Sequence, residues 1–179
     1  MDAAIDSLLD FVAANKGWAF WIALIFGFTE NLAFLSIAIP STAILVGVGA
    51  LIATGELTFL PIFLGAALGA FLGATVSWFL GLIYGDRMLA VWPIRDHPDL
   101  VEKGKAAFTK WGPAAIILGH FFGPLRPVAF LLCGIALMPF AKFQLYNIVG
   151  AVGWAWFVPK VGEVSGVIIG WIWNLFSGG

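Results

Sequence analysis

Residues 58–84 run without one charged side chain. At ~1.5 Å per residue, a helix of that length reaches ~40 Å, more than the ~30 Å hydrocarbon core of a bilayer. Gly65, Gly69 and Gly73 stand inside the run as two overlapping G-x-x-x-G steps, a spacing that lets a second helix approach closely. The rest of the chain is scarcely more polar. Of 179 residues, 61% are hydrophobic and 11% charged, against about 25% charged in an ordinary soluble domain. A soluble fold of this size has too much surface to hide that much apolar material. The expectation is an all-α integral membrane protein crossing the bilayer several times.

The charges that remain are concentrated. Asp86, Arg87, Arg95, Asp96, Asp99, Glu102, Lys103, Lys105 and Lys110 fall in one short stretch, which holds most of the lysines and arginines. The positive-inside rule counts basic residues near membrane segments, and it places this loop, residues 86–112, in the cytoplasm. Net charge is −1, with no basic stripe for nucleic acid. The one cysteine, Cys133, excludes an internal disulfide framework and a Cys-based metal site; in its apolar run it reads as a small buried hydrophobe. Asp2 and Asp6 stand where a secretory signal peptide has basic residues, so insertion is expected to be directed by the mature segments. No cofactor and no metal is expected.

Along the chain, Ile5, Leu8, Leu9 and Val12 fall at helical spacing opposite Asp2, Asp6 and Asp10. Residues 1–16 therefore read as an interfacial amphipathic helix, with Trp18 and Trp21 at headgroup depth. Residues 17–179 form a single membrane domain, with a first half at 17–85 and a second half at 113–179. In the first half, an apolar run interrupted by Glu30 and Asn31 reaches Pro40, which breaks it; a second apolar piece ends near Glu56, a position that reads as solvated. Within the charged loop, Pro98–Trp111 suits an amphipathic helix with Leu100, Ala107 and Trp111 on one side, stopped by Gly112-Pro113. In the second half, Ala114–Phe122 and Val128–Met138 are apolar arms around Gly123-Pro124-Leu125-Arg126-Pro127. Each arm reaches only ~15 Å, half the hydrocarbon core. Two half-length arms about such a break predict a re-entrant hairpin. Residues 142–159 then span once, and 162–176 have room to return.

A weak internal repeat accompanies this pattern. Shifted by 81, Phe59, Gly69-Ala70, Gly81 and Gly85 match Phe140, Gly150-Ala151, Gly162 and Gly166; shifted by 85, Gly49 matches Gly134, and the Pro40 break falls near the Gly123–Pro127 break. Glycine matches in a glycine-rich chain also arise by chance. If the repeat is real, two hairpins enter from opposite faces, and broken segments in corresponding positions point to a transport site.

Chemistry is sparse, which makes its few carriers conspicuous. Arg126, between Pro124 and Pro127, costs at least ~2.5 kcal/mol at membrane depth unless it faces a partner or a cavity. Its planar fork suits phosphate or carboxylate; the bland alternative is a shallow hairpin whose arginine snorkels to the headgroups. Glu30 is the lone carboxylate of its run, a proton-coupling group or half of a structural ion pair with Arg126. His120 is a proton relay, a phosphate donor, or a neutral hydrogen-bonded histidine. Ser41 and Thr42 offer hydroxyls to an anion or to backbone freed by Pro40. Asn147 is expected to bond across helices. Neither G-x-S-x-G nor H-E-x-x-H appears, so no enzyme is expected.

His120-Phe121-Phe122-Gly123-Pro124-Leu125-Arg126-Pro127, followed by Gly134, Met138, Phe143, Asn147, Gly150 and Trp154, resembles the second-half signature of the DedA family. Glu30, Pro40, Gly49, Gly55 and Tyr84-Gly85-Asp86-Arg87 agree with its first half, so the resemblance covers roughly residues 25–160. It implies an inverted repeat with two opposed re-entrant hairpins plus spanning helices. It also implies transport or scrambling of phospholipids or polyprenyl-phosphate carriers, proposed to be coupled to the proton gradient. Of the family's two acids and two arginines, Glu30 matches the first acid and Arg126 the second arginine. Thr42 occupies the second acidic position, His120 the first arginine's, and Ala74 a position often held by aspartate.

The sequence thus predicts a multi-pass translocase of the bacterial inner membrane. Arg126, His120, Gly123, Pro124, Thr42 and Ser41 are the expected substrate contacts, and Glu30 with His120 the proton-coupling groups. Pro40, Pro127, Asn147, Gly65, Gly69, Gly73 and Gly150 have structural parts. Expected partners are membrane lipids or lipid phosphates and protons, with room for a homo-oligomer. The alternatives are a structural or assembly membrane protein and, third, an intramembrane lipid phosphatase.

Overall fold

A computed structural model describes residues 16–32, 48, 49, 51–53, 57–92, 94–122 and 125–177. The expected interfacial helix, the first-half break with Pro40, Ser41 and Thr42, the Glu56 edge, and Gly123-Pro124 lie outside the described residues.

A 3-10 turn, Lys16–Trp18, leads into α1, Ala19–Asn31. Trp18 and Trp21 point outward, both exposed. At 13 residues, α1 reaches only ~20 Å, short of a ~30 Å crossing. It stops where its polar residues turn to the backbone. Asn31 donates from Nδ2 to the Gly27 carbonyl at 2.7 Å, and Ser77 donates from Oγ to the Asn31 carbonyl at 2.7 Å. The second bond satisfies one of the carbonyls that a helix end leaves without a partner.

α2, Phe59–Tyr84, is the charge-free helix. With its 3-10 continuation to Ala90, it is the one helix among the described residues long and apolar enough to cross a membrane. A Cβ on Gly65, Gly69 or Gly73 would overlap the carbonyls of Phe20, Leu24 and Phe28 in turn, and one on Gly27 would overlap Ala66. The two helices therefore meet backbone to backbone, with Ala19, Ala23, Ala66 and Ala70 filling the seam. Leu60, Leu64, Leu68 and Leu72 stay exposed on the other side. Both faces are apolar, so hydropathy alone does not say which is inside; the small residues do.

Gly85, at φ 58, ends α2. The charged stretch that follows is packed rather than loose: 3-10 turns Gly85–Ala90 and Ile94–Asp96 bury Met88 and Ile94 against Leu131. α3, Pro98–Trp111, has the bounds its pattern predicts. Its packed strip differs. Gly104 is its buried residue, with Val101 and Phe108 against the core clusters, whereas Trp111 is exposed. Leu100 and Ala107 of the predicted stripe are half-buried, and Gly104 makes the closest approach, onto Leu132.

α4, Ala114–Gly119, and α5, Leu125–Ile135, are the two short arms. Pro127 sits in the first turn of α5, where a missing N–H breaks no helical bond. α5 crosses α2 through a glycine on each side. A Cβ on Gly134 would strike the Trp78 carbonyl, and one on Gly81 the Leu131 carbonyl. Leu137, at φ 54, turns the chain into α6.

α6, Phe140–Ser177, is 38 residues of unbroken helix with Pro159 inside it. The expected return over 162–176 is therefore corrected: the segment continues the same helix. Proline removes one i→i−4 bond, and here the helix goes on through the loss. Gly49 packs against the Pro159 carbonyl and Gly162.

Overpacking a close helix crossing costs about 1–3 kcal/mol. Gly69→Val should lower the thermal midpoint of the purified protein in detergent, while Leu72→Val on the exposed face should leave it nearly unchanged. Equal midpoints for the two variants would contradict the crossing described.

Candidate functional site

Glu30 occupies the last turn of α1 and Arg126 the first turn of α5. Arg126 Nη1 lies 3.0 Å from Glu30 Oε1, and the two side chains are 1% and 4% exposed. A charge pair this buried is held by more than Coulomb attraction. The Arg126 guanidinium also stacks over the Trp154 ring, 4.5 Å from its centroid, a cation–π contact strengthened by desolvation. Both charges stand at unfavourable helix ends. A helix C-terminus carries partial negative charge and an N-terminus partial positive, so α1 repels Glu30 and α5 repels Arg126. Each therefore depends on the other. The backbone of the break gives less than its sequence suggests: Arg126 N–H is taken by the Phe122 carbonyl at 3.0 Å, and Pro127 has none.

A second polar group surrounds His120, which is fully buried in the turn after α4. His120 Nε2 lies 3.1 Å from Asn147 Oδ1. The Asn147 amide donates to Gln144 Oε1 at 2.9 Å and to the Phe71 carbonyl at 3.2 Å. Gln144 donates to Thr75 Oγ1 at 2.9 Å, and Thr75 in turn to the Phe71 carbonyl at 2.7 Å. With both amide hydrogens committed, Asn147 must offer its oxygen to the histidine. His120 therefore donates from Nε2, and its Nδ1 has no hydrogen-bond partner. Gly150 makes room for the ring: a Cβ there would overlap His120 Cδ2.

The structure thus brings together Glu30 and Arg126 as one pair, and His120, Asn147 and Gly150 as one network. Gly65, Gly69 and Gly73 serve the α1–α2 seam instead. Ser41, Thr42, Gly123, Pro124 and Pro40 lie outside the described residues. Sequence reasoning passed over Thr75, Gln144 and Ser77, and met Asn31 only as an interruption of its apolar run. The available signal was their polarity inside otherwise apolar helices; Gln144 also precedes Asn147 by three residues, on the same helix face. Among the described residues, no group of three or more His, Cys, Asp or Glu side chains is placed to hold a metal.

Buried charges, a polar network and short broken helices in an apolar body are features that relatives can be asked to share. The VTT-domain model matches residues 39–164. The chain belongs to the VTT-domain, or DedA, family. Its relatives include the inner membrane protein YabI of Escherichia coli K12, 29% identical over 92% of this chain and 65% of YabI. An uncharacterized membrane protein of Buchnera aphidicola (subsp. Schizaphis graminum) is 27% identical over 91% of this chain and 63% of its own length. Rv2637 of Mycobacterium tuberculosis, also named as an uncharacterized membrane protein, is 31% identical over 75% of this chain and 64% of its own. The chain spans 60–65% of the length of the first four curated relatives it matches. No solved structure matches it. This VTT-domain chain is a helical membrane protein, and its relatives carry no enzyme name.

The histidine cradle is testable by a double-mutant cycle. Gly150→Ala should destabilise the protein, and much less so in a His120→Ala background, a coupling of about 1 kcal/mol or more. Additive shifts in unfolding would place the ring elsewhere.

Proposed function

We propose that this VTT-domain protein is a translocase for phospholipids or polyprenyl-phosphate carriers in the bacterial inner membrane, with Arg126 as the residue that takes the headgroup phosphate. The observation that carries this reading is a buried arginine at the N-terminus of a short helix, neutralised by a single carboxylate. An anion is what both that helix end and that side chain attract. In the state seen, the anion is Glu30. A lipid phosphate would replace it there, and Glu30 would be released to water or take up a proton. His120, with Nδ1 as its open acceptor, would receive a proton or, once protonated, donate to phosphate.

We further read the chain as an inverted repeat with two re-entrant hairpins, and residues 86–112 as cytoplasmic. Glycine contacts support the repeat. Gly49 packs on Gly162 and Gly134 on Gly81; Gly49 matches Gly134, and Gly81 matches Gly162. Each half therefore presents the same glycine contact to the other. Gly69 and its match Gly150 likewise each receive a neighbouring element, α1 in one case and His120 in the other. Such halves could alternate exposure around a fixed site.

The dryness of the Glu30–Arg126 pair also favours a second reading, a structural lock in an assembly protein. Removing one partner of a buried pair costs about 3–5 kcal/mol in either case, since a lone buried charge is left. Single variants therefore do not separate the readings, and the doubly neutral protein does. Glu30→Gln with Arg126→Gln should fold in detergent and, reconstituted into liposomes, transfer no fluorescent phospholipid or polyprenyl phosphate, while the unaltered protein does. Wild-type transfer by the double variant would sink the translocase site. An inactive unaltered protein beside an unstable double variant would favour the lock.

A further inference from the structure

α3 touches the rest of the protein along a narrow strip, where Gly104 brings its axis down onto Leu132. Beside that strip, a cavity of about 280 Å³ opens between α3, α4 and α5. Ala106, Ala107, Trp111, Ala115, Leu118 and Ala129 are among its walls, and Lys103 and Lys110 are its only charged lining residues among those described. Two ammonium groups and no carboxylate line an otherwise apolar space. The lysines are seven residues apart, about two helical turns or ~10.5 Å along the rim. Lys103 meets Asp99 only in an exposed pair at 3.3 Å, which is weak and readily exchanged. Lys110 rests over Trp111, 5.1 Å from the ring centroid. Neither Arg126 nor His120 lines the cavity.

An apolar space left empty forfeits the dispersion contacts of every atom around it. In a membrane protein, the material at hand to fill it is an acyl chain. A chain lying between α3 and the α4–α5 arms brings the lipid's phosphate to the rim, where two lysines meet it. Charge selects among lipids, because each lysine near an anionic leaflet contributes about 1 kcal/mol. We infer that this cavity is a binding site for one anionic membrane phospholipid, its tail against Ala107 and Ala115 and its phosphate between Lys103 and Lys110. The site is distinct from the Glu30–Arg126 pair. The bound lipid completes the seat of α3, which Gly104 alone makes narrow.

The full chain, purified in mild detergent with equal phosphatidylglycerol and phosphatidylcholine, tests this by native mass spectrometry. One phosphatidylglycerol adduct should be retained over phosphatidylcholine by roughly tenfold or more, as two lysines at ~1 kcal/mol each imply. Lys103→Gln with Lys110→Gln should abolish the preference, and Ala107→Phe should abolish the adduct by filling the cavity. Lys105→Gln, on the opposite flank of α3, should keep both. Equal retention of the two lipids by the unaltered protein would overturn the site. So would a preference that survives loss of both lysines, or displacement of the adduct by inorganic phosphate. The Glu30→Gln, Arg126→Gln protein should retain the adduct whatever its transfer activity; loss there would assign the lipid to the ion pair instead.

Discussion

The ion pair between Glu30 and Arg126 joins two helix ends that repel the charges placed on them. Neither side chain reaches solvent, and α1 and α5 are far apart in sequence. Bringing the two together therefore requires that α1 stop after Asn31 and that α5 begin at the break before Arg126. Both helices are shorter than a bilayer crossing as a result. The fold around the pair can be read as the arrangement that lets two short helices meet end to end inside an apolar body.

Close backbone contact makes this geometry rigid. α2 is the common partner: Gly65, Gly69 and Gly73 seat α1 on it, and Gly81 seats α5 through Gly134. With only alanine side chains and glycines between the axes of α1 and α2, the backbones meet directly and set the positions of Glu30 and Arg126. The histidine network has the same logic. Thr75 and the Phe71 carbonyl on α2 fix Gln144 and Asn147 on α6, which then fix His120. Polar groups that would each be costly alone satisfy one another, with His120 Nδ1 the atom left without a partner.

Much of this was legible in the sequence. The charge-free run, the G-x-x-x-G spacing and the half-length arms translate directly into α2, its seam with α1, and the pair α4 and α5. Glu30 and Arg126 stand out because so few charges interrupt the apolar segments. What the sequence hid has physical causes. The return expected over 162–176 does not form, because α6 runs on through Pro159 and tolerates one lost hydrogen bond. The hydrophobic pattern of α3 could not register that Gly104, which contributes no side chain, is its point of closest approach. Thr75 and Gln144 are ordinary polar residues until the helices that carry them are brought together.

On the proposed reading, the pairing also explains how one acid and one firm cation could couple a lipid to a proton. Among the described residues, the site pairs one buried positive charge with one buried negative one. When Glu30 is ionised, Arg126 is neutralised and a phosphate arriving beside it would leave a net buried anion. When Glu30 is protonated, Arg126 is left without its counter-ion, and a buried unpaired cation is the more expensive state. A phosphate and a proton therefore favour each other's entry by the same amount, as linkage requires of any two ligands of one site. On that reading the coupling would need no second acid, because it would follow from the burial of the pair.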